Sequence, residues 1–302
     1  MQKSTPLLAW IILMALALIW GSSFILMKQA LRAYTGVQIA SVRLLAAACF
    51  FIPPLFVQWK TLPRLKQWGW GFVSGMVGSF IPAYLFTAAV SHMNSSLVGV
   101  LNAFTPIFVL IIGFLFFQQK ITPRQLTGLL LGLSGCILIT LSGVQGEVKF
   151  NAYALLVILA TILYGLNPFL IRKYLTGLKP IILTGLTFIT VAPLALIALL
   201  RTDFAEHLQQ SGAGWSLAAA ITLGLVGSGI AMIFYNYLLQ LTSPVFVSSV
   251  TYLIPVIAVG WGMADHEVLQ LQHFVGMAII LLGVYLINVT PKKVSNLIIE
   301  EK

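Results

Sequence analysis

The sequence predicts an all-α integral membrane protein of ten transmembrane helices, arranged as two inverted five-helix repeats with both termini cytoplasmic. Three observations lead there. The composition is apolar and poor in charge, ten apolar runs have bilayer length, and the second half repeats the first at a nearly constant offset. Of 302 residues, 59% are hydrophobic and 8% charged, with a mean hydropathy of +1.00, whereas soluble domains carry about 25% charged residues.

The runs lie at about 7–27, 37–57, 69–91, 95–117, 124–143, 152–172, 180–200, 214–240, 245–263 and 271–289. A helix needs about 20 apolar residues to cross the hydrocarbon core, whereas closed barrels use alternating segments of about 10, and lipid admits only these two backbone solutions. The first run is interrupted by "LIWGSSF" (18–24) and stops at Lys28. The second carries Arg43, the third a series of glycines that includes Gly69, Gly71, Gly75 and Gly78, and the fourth Pro106. In the fifth, Gly128 and Gly132 have GxxxG spacing, which favours a scaffold or subunit contact. The sixth returns to the grammar of the first with "ILYGLNPF" (162–169) before Arg172 and Lys173. The seventh has Thr187, the eighth Gly224, Gly227 and Gly229, the ninth Pro255, and the tenth Gly276 and Gly283. Connections are short, so no soluble domain fits between spans.

With the N-terminus inside, 12 of the 17 basic residues fall on that side, and only Lys28, Arg32, Lys149 and Arg201 on the other. By the positive-inside rule both termini are cytoplasmic. The net charge of +10 therefore reflects topology and contact with anionic lipid, not a nucleic acid partner. Cys49 and Cys136 fall inside spans and read as small apolar fillers. The start "MQKSTP" with "ALA" at 15–17 imitates a signal peptide, but the apolar run continues to Trp20 and the residues beyond it have a counterpart later in the chain.

"SGMVGSFI" (74–81) meets "LGLVGSGI" (223–230) at an offset of 149 with five identities in eight, and the same offset carries Val98 onto Val247 and Pro106 onto Pro255. An offset of 144 aligns Trp20-Gly21 with Tyr164-Gly165 and Lys28 with Arg172, and 148 aligns Gly128 and Gly135 with Gly276 and Gly283. Five spans per copy is an odd number, so the second copy enters the membrane in the opposite sense. The expected units are residues 1–146, 147–292 and a cytoplasmic tail, 293–302. Inverted repeats supply transporters with two conformations of similar energy, one open to each side.

"IWGSSFILMK" (19–28), "SVRLLAAACFFIPPL" (41–55), "TPIFVLIIGFLFFQQKITPRQLTGLLLGLSG" (105–135) and "IPVIAVGWGMADHEVLQLQHFVGMAIILLG" (254–283) together resemble the EamA family of the drug/metabolite transporter superfamily. The resemblance covers nearly the whole chain, twice and in order. It implies ten helices, cytoplasmic termini and export of amino acids or other small metabolites across a bacterial cytoplasmic (inner) membrane. Two positions depart from the pattern. Gln119 stands where the family often has a glutamate, although Glu267 keeps the counterpart, and Arg43 has Thr187 as its mate.

Pro106, Pro168 and Pro255 are expected helix kinks, since a mid-helix proline frees a carbonyl that needs a protein or water partner in lipid. Polar side chains lie near the paired prolines: Asn102 and Thr105 in one half, Thr251 and Tyr252 in the other. Trp20, Ser22 and Ser23 match Tyr164, Asn167 and Pro168 as sites where a helix becomes polar and breakable. Span three adds Tyr84 and Thr87, and span eight Tyr235 and Asn236. These residues read as opposing walls of a chamber for a small amphipathic or zwitterionic solute. The alternative is interhelical hydrogen bonding of ~0.6 kcal/mol per bond together with interfacial aromatic belts. Arg43 lies about 9 Å below the outer end of its span, where an unpaired charge costs ~2–3 kcal/mol. It either snorkels or bonds carbonyls structurally, or it attracts a carboxylate or takes part in gating.

No Asp or Glu occurs in the core of any span, and His92, His207, His266 and His273 lie at ends or in loops. No catalytic constellation, metal set or cofactor site is expected. The leading reading is a secondary transporter working by alternating access, with a small-molecule substrate and membrane lipid as partners. The alternatives are a drug exporter, a membrane-embedded enzyme, or a receptor or assembly subunit. An oligomer is allowed but not indicated. Proton coupling generally needs a titrating group in the pathway, so the expectation is a facilitator or exchanger, or coupling through peripheral Asp265 and Glu267.

Overall fold

A computed structural model describes residues 7–58, 63–92, 95–142, 152–264 and 271–288, and every regular element among them is a helix. Asp265, Glu267, His266 and the 293–302 tail lie outside the described residues. In chain order the helices are α1 (Leu7–Ala30), α2 (Gly36–Val57), α3 (Leu65–His92), α4 (Ser95–Asn102), α5 (Thr105–Phe117) and α6 (Pro123–Ser142). They continue with α7 (Ala154–Tyr174), α8 (Pro180–Leu200), α9 (Ala213–Leu241), α10 (Pro244–Ser248), α11 (Val250–Ala264) and α12 (Leu271–Asn288). A single turn, Phe204–His207, lies between α8 and α9. Six helices, α1, α2, α3, α7, α8 and α9, are long and apolar enough to cross a bilayer, and shorter apolar helices cover Thr105–Phe117, Pro244–Ile257 and Phe274–Ile287. The fold is all-α and multi-span, and large side chains such as Leu7, Phe56, Phe116 and Trp215 are left exposed for lipid to cover.

Local chemistry sets the ends. Thr35 and Gln38 form a reciprocal capping box at the start of α2, the Thr35 amide donating to Gln38 Oε1 at 2.9 Å and the Gln38 amide to Thr35 Oγ1 at 3.4 Å, which satisfies two orphan donors of the first turn. Pro180 and Pro244 open α8 and α10, where the missing N–H costs nothing. Gly212, at φ 80°, leads into α9 in the left-handed region that glycine enters without strain.

Two helices depart from α geometry at matching places. Met76–Phe80 within α3 and Leu223–Ile230 within α9 are π-helical, a rare winding that concentrates at functional sites. The proline-bearing spans also break. Between α4 and α5 a turn at Ala103–Phe104 interrupts the helix, and Pro106 occupies the first turn of α5. It therefore restarts a helix where a kink inside one was expected, because the first turn tolerates a residue without an N–H. The Asn102 carbonyl that a non-proline amide at 106 would have bonded accepts from Thr105 Oγ1 at 2.8 Å. In the second half the interruption falls at Ser249, and Pro168 and Pro255 lie inside α7 and α11. Hydroxyls again take up carbonyls, Ser249 Oγ donating to Phe246 O at 2.6 Å and Thr251 Oγ1 to Ser248 O at 2.9 Å.

Glycines set the crossings, and each crossing occurs twice. A Cβ on Gly21 would lie 2.6 Å from Ile257 of α11, and one on Gly165 would lie 3.0 Å from Phe108 of α5. On Gly75 it would meet the Thr187 carbonyl oxygen at 2.3 Å, and on Gly224 that of Arg43 at 2.5 Å. On Gly128 it would meet Gly283 O at 2.7 Å, and on Gly135 it would meet Gly276 O at 2.7 Å. The last pairing runs α6 and α12 antiparallel and makes the GxxxG region an internal contact. Gly69 is different, with no atom within 4 Å of an added Cβ, so it marks no close crossing. Cys136 is buried, but Cys49 is exposed, which corrects its reading as a packing filler.

Candidate functional site

A cavity of about 140 Å³ lies where both halves of the chain meet. Its walls come from α1 (Trp20, Ser23, Phe24, Met27), α2 (Arg43), α3 (Gly78, Phe86, Val90) and the α4–α5 break (Asn102, Thr105). The second half contributes α7 (Tyr164, Asn167), α9 (Gly227, Ser228, Met232, Tyr235) and the α10–α11 break (Ser248, Val250, Thr251, Ile254). Many walls are repeat mates: Trp20 with Tyr164, Ser23 with Asn167, Gly78 with Gly227, Phe86 with Tyr235, and Asn102 with Thr251.

The π-helical stretch of α9 explains how Trp20 is fixed. In an α-helix the Ala231 amide would bond the Gly227 carbonyl, but here it turns to Val226 and Ser228. The Trp20 indole N–H donates to that Gly227 carbonyl at 2.9 Å, and the ring packs against Tyr235 with centroids 5.9 Å apart. Across the cavity Tyr164 stacks on Phe86 at 5.7 Å. Ser74 Oγ donates to Asn167 Oδ1 at 2.7 Å, and the Asn167 amide lies directly over Gly78, where an added Cβ would come within 2.1 Å of Nδ2. Only a glycine leaves room for that amide.

Among the described lining residues Arg43 is the one Lys, Arg, Asp or Glu. Its Nε donates to Ser228 Oγ at 2.6 Å, which spans the two halves of the chain, and it is within electrostatic reach of the Tyr164 phenol. No carboxylate among the described residues pairs with it; Asp203 lies instead beside His207, at 3.4 Å, near the end of α8. Among the described residues there is no group of three or more His, Cys, Asp or Glu able to hold a metal ion.

The expected site residues divide into two sets. Trp20, Ser23, Arg43, Asn102, Tyr164, Asn167, Tyr235 and Thr251 line the cavity. Ser22, Tyr84, Thr87, Asn236, Tyr252 and the three prolines do not. Ser22 Oγ bonds Leu18 O at 2.7 Å, Tyr84 pairs with Ser41 at 2.7 Å, and Thr87 Oγ1 bonds Ala83 O at 3.0 Å. Asn236 Nδ2 donates to Thr184 Oγ1 at 2.9 Å, and the buried Tyr252 hydroxyl donates to Leu129 O at 3.2 Å. Sequence reasoning passed over Ser228, Ser74 and Ser248. The signal for Ser228 was present, since "VGS" recurs at 77–79 and 226–228.

Residues 7–141 and 151–289 each match the model of the EamA-like transporter family. An uncharacterized inner membrane transporter of Escherichia coli (strain K12), YedA, is 27% identical over 91% of this chain and 89% of its own. A probable terminal-alkyne amino-acid exporter of Streptantibioticus cattleyicolor is 26% identical over 89% of each chain. One crystal structure, 14% identical, superposes with a TM-score of 0.73 over 92% of this chain and 95% of that one, which is a likeness of fold.

Proposed function

Because this chain belongs to the EamA-like transporter family, we propose that it is a secondary transporter exporting amino acids or related small metabolites across a bacterial inner membrane by alternating access. In this reading the chain crosses the membrane ten times, in two inverted repeats of residues 1–146 and 147–292 followed by a cytoplasmic tail at 293–302. Both termini are cytoplasmic. The glycine crossings that recur with the halves exchanged, and the antiparallel α6–α12 pair, support that architecture.

The observation that carries the proposal is the central cavity with repeat mates on opposite walls. Its volume of about 140 Å³ is close to the ~150 Å³ of an engineered cavity that accepts benzene, which suits an amino-acid-sized solute and is small for most drugs. The amino-acid-exporter name of one relative supports the substrate class.

An asymmetry between the two ends supports alternation. The Arg172 guanidinium donates to the Leu239 carbonyl at 2.9 Å and also to that of Thr242, holding the end of α7 to the end of α9. Trp70 and Tyr174 stack at the same end with centroids 3.6 Å apart. Lys28, the repeat mate of Arg172, is exposed, and the cavity reaches Met27 and Val90 beside it. The Arg172 link, which defines the latched end, has no counterpart at Lys28, although the other end has bonds of its own, from the Tyr34 hydroxyl to Ala213 O at 3.2 Å and from Ser216 Oγ to Gln29 O at 3.0 Å. In the proposed topology the latched end is cytoplasmic and the conformation opens outward. The test is counterflow: liposomes holding the purified protein and unlabelled L-leucine should accumulate external labelled leucine, and liposomes inert toward every amino acid tried would refute the reading.

A further inference from the structure

The Arg43 charge in the cavity carries an inference that rests on the transport reading. We infer that the solute is held by a carboxylate, in a cradle of donors drawn from both halves of the chain and oriented by Ser228 and Ser74, and that cations of the same size are refused.

Arg43 supplies the charge. Its Nε is committed to Ser228 Oγ at 2.6 Å, which sets the plane of the guanidinium. The two Nη groups have no partner among the described residues and are not sealed off, so they front the cavity that Arg43 lines. Asn167 supplies a neutral donor on another wall. Ser74 Oγ donates to Asn167 Oδ1 at 2.7 Å, an arrangement that presents Nδ2 over Gly78. The Tyr164 and Tyr235 phenols also line the space without a described partner.

No described lining residue is acidic. The site therefore offers a net positive charge and several N–H and O–H donors in a place of low dielectric, where unpaired charge is costly and a charge-assisted bond to an oxyanion is strong. A carboxylate neutralises Arg43, whereas an ammonium alone adds a like charge. Where a solute carries both, the faces of Trp20, Tyr164 and Tyr235 accept its ammonium, while Phe24, Met27, Phe86 and Val90 receive its apolar part. The same chemistry could come from inorganic phosphate, but a doubly charged, strongly hydrated anion finds a single cation here, so carboxylate is the assignment.

Thermal stabilisation of the detergent-purified full chain by a matched set of probes tests this: L-leucine, 4-methylpentanoate, leucinamide, isoamylamine and inorganic phosphate. Leucine and 4-methylpentanoate should stabilise, and the amide, amine and phosphate should not. Arg43→Gln should weaken leucine binding about ten- to hundred-fold, the loss typical of a charge-assisted bond, with Arg43→Lys recovering part of it. Ser228→Ala and Ser74→Ala should raise KM and leave the maximal rate nearly unchanged, which a general packing defect would not do. Equal stabilisation by the amine, stronger stabilisation by phosphate, or unaltered leucine affinity in Arg43→Gln would overturn the carboxylate assignment while leaving transport intact. If no probe binds and none moves in vesicles, both readings fall. Should Arg43→Gln not fold, the acid-versus-amine comparison on the unaltered protein decides alone.

Discussion

Adding a methyl group at Gly75 or at Gly224 perturbs the same crossing in the two halves of the chain. At Gly75 the new Cβ would sit 2.3 Å from the Thr187 carbonyl oxygen and 2.8 Å from Val191 Cγ1. At Gly224 it would sit 2.5 Å from the Arg43 carbonyl oxygen and 2.7 Å from the Ala46 Cβ. Carbon and oxygen rest at about 3.3–3.6 Å even in favourable contacts, so the helices must separate by about 1 Å. The obstacle is backbone and cannot rotate away. Overpacking of this kind costs about 1–3 kcal/mol, offset by up to about 1 kcal/mol from removing a glycine within a helix. The expected net loss is about 1–2 kcal/mol for each variant. Gly69→Ala is the control, because its Cβ would meet nothing within 4 Å, and it should be neutral or slightly stabilising. The assay is denaturant unfolding of the purified protein in micelles, followed by tryptophan fluorescence. Transport should fall further in Gly224→Ala than in Gly75→Ala, since only the former displaces the backbone that carries Arg43. If Gly75→Ala or Gly224→Ala is neutral, or Gly69→Ala is as costly as they are, the repeated crossing does not hold the fold as argued.

Three other outcomes are expected. Gly78→Ala should displace the Asn167 amide and reduce uptake several-fold with little loss of melting temperature, whereas Gly227→Ala, whose nearest contact is Ser23 Oγ at 3.3 Å, should be milder; vesicle uptake compared with unfolding separates them. Tyr252→Phe removes a buried hydroxyl bonded to Leu129 O and should cost about 1 kcal/mol with transport per folded molecule unchanged. Arg172→Ala should release the end of α9 and raise the reactivity of a cysteine placed at Leu239 toward a thiol reagent.

The all-α, multi-span character was legible because lipid leaves few options, and apolar runs of this length point to helices. What the chain does inside a span was harder to read. Pro106 looked like a kink because its position along the run is central, but the chain breaks just before it and Thr105 caps the freed carbonyl. The π-helical stretches were hidden because "MVGSF" and "LGLVGSGI" are also what close packing demands. The repeat located the cavity, since residues that match across the halves converge on it. It did not separate Ser23 from Ser22, which both bond the carbonyl one turn back, or Tyr235 from Tyr84, since only the packed neighbours decide that Ser41 takes up the Tyr84 hydroxyl while Tyr235 lines the cavity. Ser228 went unnoticed because a serine among glycines reads as small, and its role comes only from the arginine placed opposite it.

The central claim is that one cavity faces the two compartments in turn. Single cysteines at Val90, beside the open end, and at its repeat mate Leu239, beside the latched end, test it most directly in a Cys49→Ser, Cys136→Ala background. Reaction with a membrane-impermeant thiol reagent is measured from each side, with and without substrate. The account predicts that Val90→Cys reacts from outside while Leu239→Cys is protected, and that substrate exchange or Arg172→Ala raises the second as the first declines. Simultaneous reactivity at both positions, or a Leu239→Cys that stays protected while solute is crossing, would contradict it.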